Sequence, residues 1–138
     1  CTKYNLAISD SDDEEVTFCG MDAEGGIKTH LNKESLKTRQ TYTVKNSKLS
    51  DVIEKTNYNY IDLMIIDVEG AELQVLKSID FSFPIYTIFV ECHSNQPEKN
   101  KKIADFLKSK GFLHKERQRG NEVWYNPDYF RKDLFQEW

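Results

Sequence analysis

YIDLMIIDVEGAELQVLKSI, residues 60–79, decides the fold. The run from Tyr60 to Val68 is almost continuously apolar, which is what a strand covered on both faces by helices requires. It ends in Asp67 and Glu69, two carboxylates two residues apart, and Gly70 follows. From Ala71 to Ile79 the period changes: Leu73, Val75, Leu76 and Ile79 fall on the inner side of a short helix. The stretch therefore predicts a strand, a tight turn and a helix.

Downstream the same grammar recurs. PIYTIFVEC (84–92) is β-branched and aromatic and predicts a second strand. QPEKNKKIADFLKSKGF (96–112) predicts a helix with clear punctuation: Pro97 suits its first position, and Ile103, Phe106 and Leu107 form the buried stripe. Lysines crowd its last turn and Gly111 closes it. FLHKERQRGNEVWYNP (112–127) predicts two strands around a Gly120-Asn121 turn, and YFRKDLFQEW (129–138) a short amphipathic helix.

Upstream, YNLAIS (4–9), VTFCG (16–20) and TYTVKN (41–46) are strand candidates, and SKLSDVIEKT (47–56) is a short helix. SDSDDEE (9–15) is a solvated turn, and residues 21–40, poor in large apolar groups, are expected to be loop. Alternating strands and helices with a closing hairpin predict an α/β protein, a mostly parallel sheet with an antiparallel end, in one domain over residues 1–138.

Composition narrows the function classes. The 138 residues are 38% apolar and 30% charged with a net charge of −4, which fits a folded chain and argues against nucleic acid as a partner. The basic excess over residues 97–119 reads as a solvated helix face with an exposed strand. Cys1, Cys19 and Cys92 are odd in number and widely spaced, so they outline neither a disulfide framework nor a zinc site, and a reducing, cytoplasmic compartment is favoured. Adjacent Cys92 and His93 would point to opposite faces of a strand, which also disfavours zinc. No segment has the length and apolarity of a membrane span.

The chemistry gathers at strand ends. In open α/β sheets, ligands bind beyond the carboxyl ends of the strands. Asp67 with Glu69 and Glu91 with His93 stand at two such ends, and an i, i+2 pair in extended chain shares a face. An unpaired polar group in mid-strand costs roughly 2–7 kcal/mol, whereas a strand end facing a polar crevice tolerates it. A plainer reading stays open for each residue alone: Asp67 as a helix cap, Glu69 and Glu72 as complements of the helix dipole, His93 as a loop histidine.

IDLMIIDVEGAELQVLKSIDF, then a strand ending VECH, a helix and GF, resembles the FkbM-type methyltransferases. NLAISD and YTVKNSKLSDVIEKT are similar to that family's approach to the acidic block, so the resemblance spans roughly residues 4–126. It implies a Rossmann-like, class I fold that uses S-adenosylmethionine to methylate a hydroxyl of a sugar or small metabolite. YNLAIS, YIDLMIIDV and PIYTIFVEC would be its third, fourth and fifth strands. By the same resemblance Ala7, Ile8, Asp67 and Val68 would contact the cofactor. Asp67, Glu69, Glu91 and His93 become the catalytic candidates, since an attacking alcohol must lose its proton to a positioned base.

One part of the family pattern has no counterpart. The glycines are residues 20, 25, 26, 70, 111 and 120, and none forms G-x-G. The chain is therefore expected to be the later part of a methyltransferase domain whose first strands and cofactor-binding half are missing, and to be inactive by itself. Two other readings compete. One is a non-catalytic, methyltransferase-like binding or scaffold domain. The other is a DEDD-type nuclease, in which a hydrophobic-D-x-E strand holds metal ions and Tyr129 and Asp133 imitate the closing motif. Strand order weighs against the nuclease, because in that fold the D-x-E strand comes first.

Overall fold

The computed structural model describes residues 2–21, 24–27 and 40–129. These divide into two compact units, one formed by residues 1–57 and 68–80, the other by residues 58–67 and 81–138. Among the described residues, no helix is long and apolar enough to cross a membrane.

The first unit holds strands β1 (Ala7–Ile8), β2 (Glu15–Met21), β3 (Glu24–Ile27) and β4 (Gln40–Ser47), with helices α1 (Leu49–Glu54) and α2 (Glu72–Lys77). Its sheet runs in the order β1-β4-β2-β3. β1 is parallel to β4, while β2 is antiparallel to both β3 and β4. The YNLAIS strand is shorter than expected, two residues long. β3 corrects the expected loop: Gly25 and Gly26 pair with Gly20 and Cys19 of β2, so the ladder overrides two glycines of low strand preference.

Serine links the two helices of this unit. The N-cap of α1, Lys48, makes no side-chain cap. Its place is taken by Ser78 at the C-terminus of α2, whose Oγ accepts the Leu49 N–H at 3.1 Å and whose carbonyl accepts the Ser50 N–H at 3.1 Å. Two amides that a helix start leaves unpaired are thereby satisfied. Leu76, Val75 and Ile79 are buried as expected, whereas Leu73 is only half-buried.

The second unit holds β5 (Ile61–Ile66), β6 (Ile85–Glu91), α3 (Pro97–Ser109), β7 (Leu113–Gln118) and β8 (Asn121–Tyr125). Its sheet order is β5-β6-β8-β7, with β5 parallel to β6 and the β7–β8 hairpin antiparallel. The two sheets are thus mixed, with two parallel and four antiparallel pairings, and the expected mostly parallel sheet is met only in part. Pro97 opens α3 as expected, Ile103 and Leu107 are fully buried, and Phe106 is half-buried. The Phe81 ring meets the rings of Phe106 and Phe112 edge-on at 5.9 and 5.8 Å.

Two further expectations need correction. β5 is covered on one face only: Met64 and Ile66 are buried, but Leu63 is 50% and Ile65 66% exposed. The hairpin turn lies one residue earlier than the sequence suggests. Arg119 (φ 49°) and Gly120 (φ 93°) carry the paired left-handed conformation of a two-residue turn, and Asn121 already belongs to β8. The helix expected over residues 129–138 lies outside the described residues, apart from Tyr129.

Candidate functional site

Asp67 is exposed one residue beyond β5, and Glu91 ends β6 half-buried. The last registered pair between these parallel strands is Ile66 with Val90. Carrying that register on by one residue sets Asp67 level with Glu91, on the same side of the sheet. The register thus sets two of the four carboxylate and histidine candidates at one level of the sheet.

His93 joins them through Glu91. Its Nε2 lies 3.2 Å from Glu91 Oε2, with the histidine side chain 41% exposed and the glutamate 19%. The loop that carries His93 is tied at several points. The Cys92 N–H donates to the Gly120 carbonyl at 2.8 Å, and the Cys92 carbonyl accepts from Arg117 Nη2 at 2.7 Å. The His93 carbonyl accepts from Asn100 Nδ2 at 2.7 Å and from the Gln96 N–H at 3.0 Å. A backbone so fixed holds the imidazole beside Glu91 at the end of β6.

Ala7, Ile8, Val68 and Glu69 belong to the first unit, whereas Asp67, Glu91 and His93 belong to the second. Ala7 and Ile8 are half-buried and pair with Asn46 and Ser47 of β4. The turn after β1 is held by Asn46. Its Oδ1 accepts from Ser9 Oγ at 2.9 Å, and its Nδ2 donates to the carbonyls of Ser11 and Asp13 at 3.2 and 2.9 Å.

Val68 is half-buried and Glu69 exposed, in a turn of two left-handed residues, Glu69 (φ 50°) and Gly70 (φ 114°). Nothing lies within 4 Å of where a Gly70 Cβ would sit, so the glycine is required by its φ and not by crowding.

The sequence offers Glu72 as a complement of the helix dipole, and here the structure differs. The residue is fully buried, and its Oε1 accepts the Gly70 N–H at 3.0 Å. It therefore reaches back across the turn from the first residue of α2 and fixes the left-handed pair. The spacing Gly70 to Glu72 was visible; its burial was not, because nothing in an amphipathic pattern marks a glutamate as an inward residue.

The donor set also bears on a cofactor. Exposed and half-buried carboxylates at strand ends suit a sulfonium cation, whose charge they stabilise. The adjacent glycines Gly25 and Gly26 are engaged in strand pairing and form no cofactor turn. The residues present thus fit the sulfonium end of S-adenosylmethionine, and a glycine cradle for its methionine end is not among the described residues.

Comparison with known proteins gives one match. The family model described as Methyltransferase FkbM domain matches residues 1–114. No curated protein and no solved structure matches the chain.

Proposed function

The chain belongs to the methyltransferase FkbM domain family, and on that premise we propose that this domain serves the methylation of a hydroxyl of a sugar or other small metabolite. The observation that carries this reading is the His93–Glu91 contact of 3.2 Å at a strand end level with Asp67. S-adenosylmethionine, when bound, supplies an activated methyl group. What remains for the protein is alignment and removal of one proton.

His93 Nδ1 takes the acceptor's hydroxyl proton, while the Glu91 carboxylate, 3.2 Å from Nε2, orients the ring and stabilises the imidazolium that results. Asp67 lies nearest the cofactor and the acceptor, with Glu69 beside it in sequence. By the family resemblance alone, Ala7, Ile8 and Val68 are the further candidate contacts to the cofactor. The strand order β5-β6-β8-β7 supports reading these four strands as the later half of a Rossmann-like sheet. The family match weighs against the nuclease alternative, because it covers the residues before the D-x-E strand as well as that strand.

Hydrogen exchange with and without S-adenosylhomocysteine tests the placement. Protection is expected at the amides of residues 67–70 and 91–93. A folded chain that gains protection only elsewhere would contradict it.

A further inference from the structure

We propose that a cavity between α3 and the β7–β8 hairpin binds a small organic anion with a flat apolar body, an aryl carboxylate in chemical class. This site lies within the second unit, and its argument does not rest on methyl transfer. The cavity measures about 320 Å³, within the range of small-molecule pockets. Ile103, Ala104 and Trp124 give it an apolar lining that accepts a ring. Lys101, Ala104 and Lys108 recur at i, i+3 and i+7, one stripe of α3, so two ammonium groups flank the apolar surface from one wall.

The opposite wall explains why the cavity favours an anion. β7 carries a bulge: His114 pairs with Trp124 but Glu116 pairs with Val123, leaving Lys115 as the extra residue. An odd spacing normally sends two side chains to opposite faces of a strand. The bulge instead brings His114 and Arg117 to the same face, on either side of Glu122. The Glu122 carboxylate is accordingly engaged by His114 Nε2, and by Arg117 Nε at 3.8 Å. The acidic group of this wall is thus occupied within the hairpin.

A second observation points to a ligand. Trp124 Nε1, in a wall residue, is a buried donor without a hydrogen-bond partner among the described residues. Trp124 as a whole is 2% exposed. A buried donor left unmade costs about 1–3 kcal/mol, a cost that a carboxylate accepting from the indole N–H would remove.

The test uses the full chain labelled with ¹⁵N. The Trp124 indole resonance is assigned with Trp138→Phe, which removes the chain's other tryptophan signal. 1-Naphthoate is titrated against its neutral counterpart 1-naphthalenemethanol. The expected result is a saturable shift of the Trp124 indole peak with the carboxylate. Binding should be roughly tenfold weaker for the alcohol and for Lys101→Glu/Lys108→Glu, each of which loses the charge-assisted contacts. Ala104→Phe, which fills the cavity, should abolish the shift. Both lysines are exposed, so their reversal leaves the fold intact, and the spectrum reports that directly. An unmoved Trp124 peak overturns the proposal. So does equal affinity for the alcohol, equal affinity in the lysine variant, or undiminished binding in Ala104→Phe.

Discussion

At the scale of residues, the acidic turn after β5 depends on a group that sequence reading passed over. Glu72 is a fully buried carboxylate whose Oε1 accepts the Gly70 N–H. Glu72→Ala should destabilise the chain by about 1–3 kcal/mol in denaturant unfolding, because it strands that amide. Glu72→Gln keeps an oxygen acceptor and should recover more than half of the loss. An alanine variant as stable as the parent would show that the contact does not matter. That Asp67 and Glu91 stand at strand ends was legible, because an abrupt end to apolar sequence marks a strand terminus. Glu72 was not, since burial of a charge depends on a tertiary surrounding that no local pattern encodes. The grouping of His114 and Arg117 about Glu122 was equally hidden, because it arises from a bulge, and register is a property of two strands together.

At the scale of elements, most boundaries followed from periodicity and punctuation. α3 is the clearest example, with Pro97 at its start and Gly111 (φ 87°) just past its end. β3 escaped detection because EGGI has little strand preference by itself and is held by its ladder with β2. The hairpin turn fell one residue off because Arg119 adopts a positive φ that sequence rules reserve mainly for Gly and Asn. Ser78 offers a direct test of how α1 begins. Its hydroxyl replaces a cap that Lys48 does not provide, so Ser78→Ala should cost about 0.5–2 kcal/mol, the usual loss for a missing N-cap. Ser78→Thr keeps the hydroxyl and should lose less by thermal unfolding. A neutral alanine substitution would mean that the Leu49 amide finds another acceptor.

At the scale of the whole molecule, the α/β class was legible from the alternation of strand and helix patterns. The pairing directions were not. An apolar run states that a strand is buried, but not which neighbour it chooses or in which sense, and four of the six pairings proved antiparallel. Nor did the continuous apolar run of β5 secure burial on both faces, since Leu63 and Ile65 are exposed beside an edge that has no paired strand among the described residues. The family, by contrast, was readable from the acidic block and its flanks, and residues 1–114 match it. The proposed cofactor site is formed by the carboxylates closing β5 and β6. Calorimetric titration of S-adenosylmethionine, which carries the sulfonium charge, into the folded chain tests this, with Asp67→Ala in parallel. Saturable binding is expected, weakened several-fold in Asp67→Ala, since two unit charges about 4 Å apart in water attract by about 1 kcal/mol. Because Asp67 is exposed, that variant should unfold at the parent's temperature. Binding of equal strength in the two proteins, or none in a chain shown to be folded, would contradict it.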